Sequence, residues 1–321
     1  MMKKTLTALA AAATLITGAA IAQDRSDWPN DLTIGTASQG GTYFVYGNGF
    51  ASYITEALGL NATGEVTGGP VQNVTLVETG DHLMGLVTMG PAFDAWNGNS
   101  ELAPGLEHRS IRALFPMYQT PFQVVALRSS GITSVSDLAG KRVGVGPAGG
   151  TPGTYWPLFM TALGVEADVS YAGASDAAGQ LQDGLIDAFA FAAGVPISAF
   201  AELAASQDVV MFGFSEAELP MILEAYPAMS PLTIPAGTYA GHDYDQPTVA
   251  LWNFAIAHQE CPTASPTRSP NWRWRTPTAW CRSMPRRPRR CPSIGTRTPS
   301  CPTTPARFSI SPKPASPSPT R

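Results

Sequence analysis

The stretch Leu32-Thr33-Ile34-Gly35-Thr36-Ala37-Ser38-Gln39-Gly40-Gly41-Thr42-Tyr43-Phe44-Val45 decides the fold of this chain. A short apolar run, 32–34, reads as a buried strand. Residues 35–41 form a loop of glycine and small polar side chains, and the pattern from Thr42 to Leu58 is helical. A strand that turns at glycine straight into a helix is the repeating unit of an α/β sheet.

The unit recurs. Strands are expected at 62–67 and 84–88, each followed by a glycine–proline turn and a helix, ending near Thr79 and Trp96. Two further strands are expected at 111–117 and 122–127. The pattern then restarts with a helical turn at 136–139 and a strand at 142–145, followed by a helix at 152–163. Strands at 168–171, 186–190 and 209–212 alternate with helices at 175–183, after Pro196 and near 216–224. The run 248–257 returns. Two successive sets imply two lobes, each a parallel sheet covered on both faces. The expected division is lobe 1 over 23–122 with a return segment at 246–260, and lobe 2 over 123–245. The lobes join near 120–127 in extended chain beside Pro116 and Pro121, where a hinge can act.

Composition divides the 321 residues at Glu260/Cys261. All 24 acidic residues lie before that seam; all four cysteines and 12 basic residues, with no Asp or Glu, lie in 261–321. The amino terminus reads as a secretory signal over 1–22. Lys3 and Lys4 precede an apolar stretch, and Ala20-Ile21-Ala22 supplies the small-x-small cleavage pattern. The body from Gln23 to Glu260 carries a formal charge of −18. That excludes nucleic acid and anionic membrane as partners, since both require basic patches. The body has no cysteine, so no disulfide holds it.

Five strand-to-helix junctions share one chemistry: Gly40-Gly41-Thr42-Tyr43, Gly68-Gly69-Pro70, Gly90-Pro91, Gly149-Gly150-Thr151-Pro152 and Gly194-Val195-Pro196. Glycine admits a sharp turn and close approach to the backbone. Proline at the first helical turn costs no needed donor. Each junction leaves N–H groups at a positive helix end, at the carboxyl ends of the strands where α/β proteins bind ligands. Two facing sets make a cleft suited to a carboxylate held by hydrogen bonds. Catalytic patterns are absent from the body. Histidines 82, 108, 242 and 258 are scattered, His82 in an expected solvated turn, and no G-x-S-x-G occurs. Arg128 is open to two readings, a carboxylate binder or a surface residue. No cofactor and no metal is expected.

Residues 34–43 resemble the opening motif of the TAXI family, solute receptors of TRAP (tripartite ATP-independent periplasmic) transporters. Thr67 to Asn73 is similar to the family's second motif, and 86–88 with 92–98 to its third. Asp137 to Gly146 resembles its D-L-x-G-K-R-V-x-V-G run, and Gly184 to Ala188 and Ala193 to Pro196 its later motifs. Gly90-Pro91 and Gln123 depart from the family, which favours polar residues and histidine there. The resemblance spans about Leu32 to His258. It implies a two-lobed type II periplasmic-binding-protein fold and no enzymatic activity. It implies a small organic anion as ligand, a glutamate-like amino acid or a dicarboxylate, passed to TRAP transporter membrane subunits. The residues expected to hold it are Gly40, Gly41, Thr42, Tyr43, Asn73 and Thr88 in lobe 1 and Gly149, Gly150, Thr151 and Gly194 in lobe 2. Tyr43 is expected against the ligand's carbon skeleton. Rivals are a receptor for an ABC transporter or sensor kinase, an enzyme on the same fold, and a secreted protein without a transport role.

The tail, 261–321, reads either as a disordered Pro/Ser/Thr-rich basic segment or as a frameshift. Taking each codon's third base as the start of a new codon lets Asn271 to Arg275 decode as Leu-Ala-Met-Glu, a helix-forming string. One base lost after Glu260 suffices. The tail would then encode the closing helices of lobe 1 in the wrong frame.

Overall fold

The computed structural model describes residues 28–262. The expected signal peptide and the tail from Thr263 on, with its frameshift reading, lie outside the described residues.

The described chain folds as β1 (Asp31–Gly35), α1 (Thr42–Leu58), β2 (Asn61–Glu65), α2 (Pro70–Thr79), β3 (Met84–Thr88), α3 (Met89–Trp96) and β4 (Ile111–Leu127). There follow β5 (Arg142–Gly144), α4 (Thr151–Ala162), β6 (Asp168–Ser170), α5 (Ala174–Gln182), β7 (Ala188–Ala192), α6 (Ser198–Ser206) and β8 (Val209–Phe212). Then come α7 (Glu218–Ala225), β9 (Ser230–Ile234) and β10 (Gln246–His258). Strands β1, β2 and β3 are parallel in one sheet, and β5, β6 and β7 in the other. This is the expected two-lobed α/β architecture.

The connection differs from expectation. The strands anticipated at 111–117 and 122–127 are one strand, β4, running antiparallel to β10 in the first sheet and to β7 and β8 in the second. The sheets are therefore mixed rather than purely parallel. Pro116 and Pro121 do not break β4. At both prolines only β10 pairs with β4, Pro116 opposite Phe254 and Pro121 opposite Ala250, before β7 joins at Phe122, so each stands where one side of the strand is unpaired. Register shifts opposite Trp252/Phe254 and Ala255/Ile256 take up the irregularity.

Strand β10 also changes lobes within its length. Val249 and Leu251 are buried with Phe122 and Val124 in the second lobe, whereas Ile256 packs with Val74, Val77 and Val87 in the first. Two adjacent strands thus carry the chain between lobes. Two smaller differences concern lobe 2. The strand expected at 186–190 lies at 188–192, because Gly184 adopts φ 69° and Asp187 turns to meet Arg142. Strand β9 was not anticipated; its alternating burial is set by pairing with β10.

The second lobe packs both faces of its sheet. On one, Phe122, Trp156 and Phe159 meet edge-on, with Phe214 stacked 5.5 Å from Trp156. On the other, Phe189 lies 5.3 Å from Phe200 above Leu181 and Ile197. In the first lobe α2 and α3 cover Val87 and Ile256, while Leu86, pointing the opposite way, meets α1 at Gly47.

Candidate functional site

The junctions face one another. Helices α1, α2 and α3 of the first lobe and α4 of the second begin around one cavity, because each follows a strand whose carboxyl end points there. Glycine permits this approach. At Gly69, φ is 113°, and a Cβ would stand 3.0 Å from the Cα of Gly150 across the cleft. At Gly90 a Cβ would lie 2.0 Å from the Tyr155 hydroxyl.

The lobes touch through main chain and short hydroxyl side chains. The Val71 amide donates to the Gly149 carbonyl at 3.0 Å, the Ala199 amide to Gly40 at 3.1 Å and the Ser175 amide to Gln39 at 3.2 Å. The Thr42 hydroxyl donates to the Gly194 carbonyl. The hydroxyls of Thr88 and Thr151 meet at 2.5 Å. The cavity left between the lobes is about 30 Å³, room for about two waters. That space is smaller than a solute of several heavy atoms.

Of the expected residues, Gly41, Thr42, Tyr43, Thr88, Gly150 and Thr151 line the cavity. Gly40, Gly149 and Gly194 lie in the seam, contributing the carbonyls named above. Asn73 is a correction. It is fully buried, and its amide donates to the carbonyls of Gly35, Thr36 and Leu86 while its oxygen accepts from Thr67. Its hydrogen-bonding capacity is spent fastening α2 to β1 and β3.

Tyr43 is 7% exposed, and its hydroxyl donates to Asn253 Oδ1 at 2.6 Å with Thr88 Oγ1 at 3.4 Å. Its ring borders the cavity, but its hydroxyl serves an internal network; burial pushes that phenol's pKa well up. Asn253 on β10 also donates to the Tyr118 carbonyl at 2.8 Å and pairs with Thr120 on β4. Strands β4 and β10 are therefore linked by hydrogen bonds, through Tyr43, to the cross-cleft threonines.

Sequence reasoning missed Asn253, Thr120, Phe191 and Tyr155. Thr120 and Phe191 line the cavity, but both sit within strands rather than at glycine junctions, so no local signal marked them. Gln123 lies behind the cleft, its amide bonded to Gln246 and its oxygen accepting from Tyr239. Arg128 is at the surface, 2.8 Å from Asp208, which settles its two readings. His82 is 5% exposed and 3.2 Å from Glu65, not in a solvated turn. Among the described residues no cluster of His, Cys, Asp or Glu suits a metal, and no helix is long and apolar enough to cross a membrane.

The profile described as the NMT1-like family matches residues 34–265. A solved structure titled as a periplasmic transporter is similar in fold, with a TM-score of 0.52 and 12% identity over 72% of this chain and 78% of that one. The GluR0 ligand-binding core in complex with L-glutamate is similar at a TM-score of 0.43 and 13% identity, over 72% of this chain and 86% of the other. The alkanesulfonate-binding protein SsuA from Xanthomonas axonopodis pv. citri, bound to MOPS, reaches 0.44 at 13% identity, over 72% and 66%.

Proposed function

This chain belongs to the NMT1-like family, and we propose that it works as a periplasmic solute receptor of the TAXI type, capturing a small organic anion for a TRAP permease. The observation that carries this reading is the cleft itself. Glycine and threonine junctions from two lobes converge on one cavity, and two adjacent strands, β4 and β10, run through both lobes, where a hinge can act. The motif series from Ile34 to Pro196 supports the TAXI assignment.

The cavity is bordered by helix first turns and by hydroxyls, and parting of the lobes frees the Val71 amide and the Thr42, Thr88 and Thr151 hydroxyls that now bond across the seam, donors that suit a carboxylate. No histidine, cysteine or acid lines it among the described residues, so no nucleophile–base pair is assembled there. The solute enters the parted cleft, and closure buries it as ligand contacts offset the ordering cost. The leader at 1–22 exports the chain. The tail is a frame-shifted version of the closing helices of lobe 1.

The test is reconstituted uptake with the permease encoded beside this gene, using the frame-restored chain. Uptake driven by a sodium or proton gradient is expected. Uptake that needs ATP hydrolysis points to an ABC transporter instead.

A further inference from the structure

We infer that the cleft selects a small acid without an ammonium group, an oxo acid, hydroxy acid or plain carboxylic acid, over the corresponding amino acid. The inference rests on the receptor reading above and narrows its ligand class.

The cavity wall carries no charged side chain among the described residues. Its polar side chains are hydroxyls: Ser38, Thr42, Thr88, Thr120 and Thr151, with the Tyr43 ring beside them. The remaining wall is glycine and alanine together with three prolines and Phe191. Among the described residues no carboxylate lines it. Asp176, in the first turn of α5 beyond Ser38, is exposed. Asp94 and Glu101 stand near Tyr155 but outside the wall.

With the lobes parted, an α-carboxylate meets the donors released from the seam, the Val71 amide and the Thr42, Thr88 and Thr151 hydroxyls, and needs no cationic side chain. Four helices begin around the cavity, and each contributes a partial positive charge at its first turn. An α-ammonium meets the same field with the wrong sign. Threonine hydroxyls can accept from it, but nothing in the wall neutralises it, and a buried charge without a counter-charge is costly. A keto or hydroxyl oxygen in its place carries no charge and takes its hydrogen bonds from the threonines.

The test is titration calorimetry of the full chain with matched pairs, 2-oxoglutarate against L-glutamate and pyruvate against L-alanine. Within the pair that binds, the oxo acid is expected to bind at least about tenfold tighter. Thr88→Asp supplies the control. Thr88 is the N-cap of α3, where aspartate is a preferred residue, so the helix keeps its start while the wall gains a carboxylate. That variant is expected to lose oxo-acid affinity and to narrow or reverse the ratio. An amino acid that binds the native chain as tightly as its oxo acid overturns the inference and leaves the receptor reading standing. An unchanged ratio in Thr88→Asp also overturns it, because the wall's charge would then not be the selector. If neither these acids nor succinate nor neutral sugars give a binding heat, both the receptor reading and the inference fall.

Discussion

Strand β4 meets two different environments along its 17 residues. From Thr120 to Ala126 every residue is buried: β10 pairs at Thr120 and Pro121, β7 joins at Phe122 and β8 at Val124, and large side chains cover both faces. From Arg112 to Gln119 none is buried, because only β10 pairs there and the strand is a sheet edge. One strand thus serves as the spine of lobe 2 and the margin of lobe 1. The first sheet ends at this half of β4, with β10 as its one neighbour, and an open edge is a feature proteins usually cover or blunt. The chain leaves that edge at Gln259, whose amide still bonds to Ser110.

The largest expected effects break this comparison directly. Phe122→Ala removes a fully buried ring that touches Tyr155, Trp156 and Phe159, at an expected cost of about 3–5 kcal/mol in urea unfolding. Phe115→Ala, seven residues earlier, removes a half-buried ring whose aromatic neighbour is Phe50, and about 1–2 kcal/mol is expected. Equal losses would mean that the margin is packed as well as the spine.

A smaller effect tests closure between the lobes. Gly90→Ala places a methyl where the Tyr155 hydroxyl sits, 2.0 Å away. Overpacking of this kind opposes closure by about 1–3 kcal/mol, and solute affinity should fall roughly ten- to hundredfold. Small-angle scattering should show a larger radius with solute present, and Tyr155→Phe in the same chain should restore part of the affinity. A single variant that binds as tightly as the native chain would remove Tyr155 from the closed seam.

The smallest effect is electrostatic and belongs to lobe 2. The Arg142 guanidinium, 2.6 Å from Asp187, holds that carboxyl below its ordinary value. The Thr133 amide and the Ser134 hydroxyl lower Asp137 in its capping box. A depressed folded-state pKa contributes stability above the unfolded value, near 3.9, and that stability is lost as pH falls through the folded value. Acid unfolding of Asp187→Asn should therefore be shallower below about pH 4. A native-like acid slope in that variant would assign the effect to other carboxylates.

The glycine junctions made the lobes and most of the cleft legible, because each marks a strand end and a helix start at once. Thr42, Thr88 and Thr151 could be named because they sit at or beside N-caps. Asn73 misled for the same reason: it stands near a junction, yet one turn into α2 it points at β1 and β3. Asn253 and Thr120 were invisible because their partners are 133 residues apart, and only the crossing of β4 and β10 brings them together. The continuity of β4 was hidden by its two prolines, which normally signal breaks and are tolerated here by an edge and its bulges.

The most direct test of the account is titration calorimetry with 2-oxoglutarate or succinate on the native chain and on Gly150→Leu. Gly150 faces Gly68 across the cleft with φ −99°, so leucine fills the cavity without left-handed strain. The account expects a saturable heat for the native chain and none for the variant, with unchanged circular dichroism. A variant that binds like the native chain would place the solute elsewhere and contradict the assignment of this cleft.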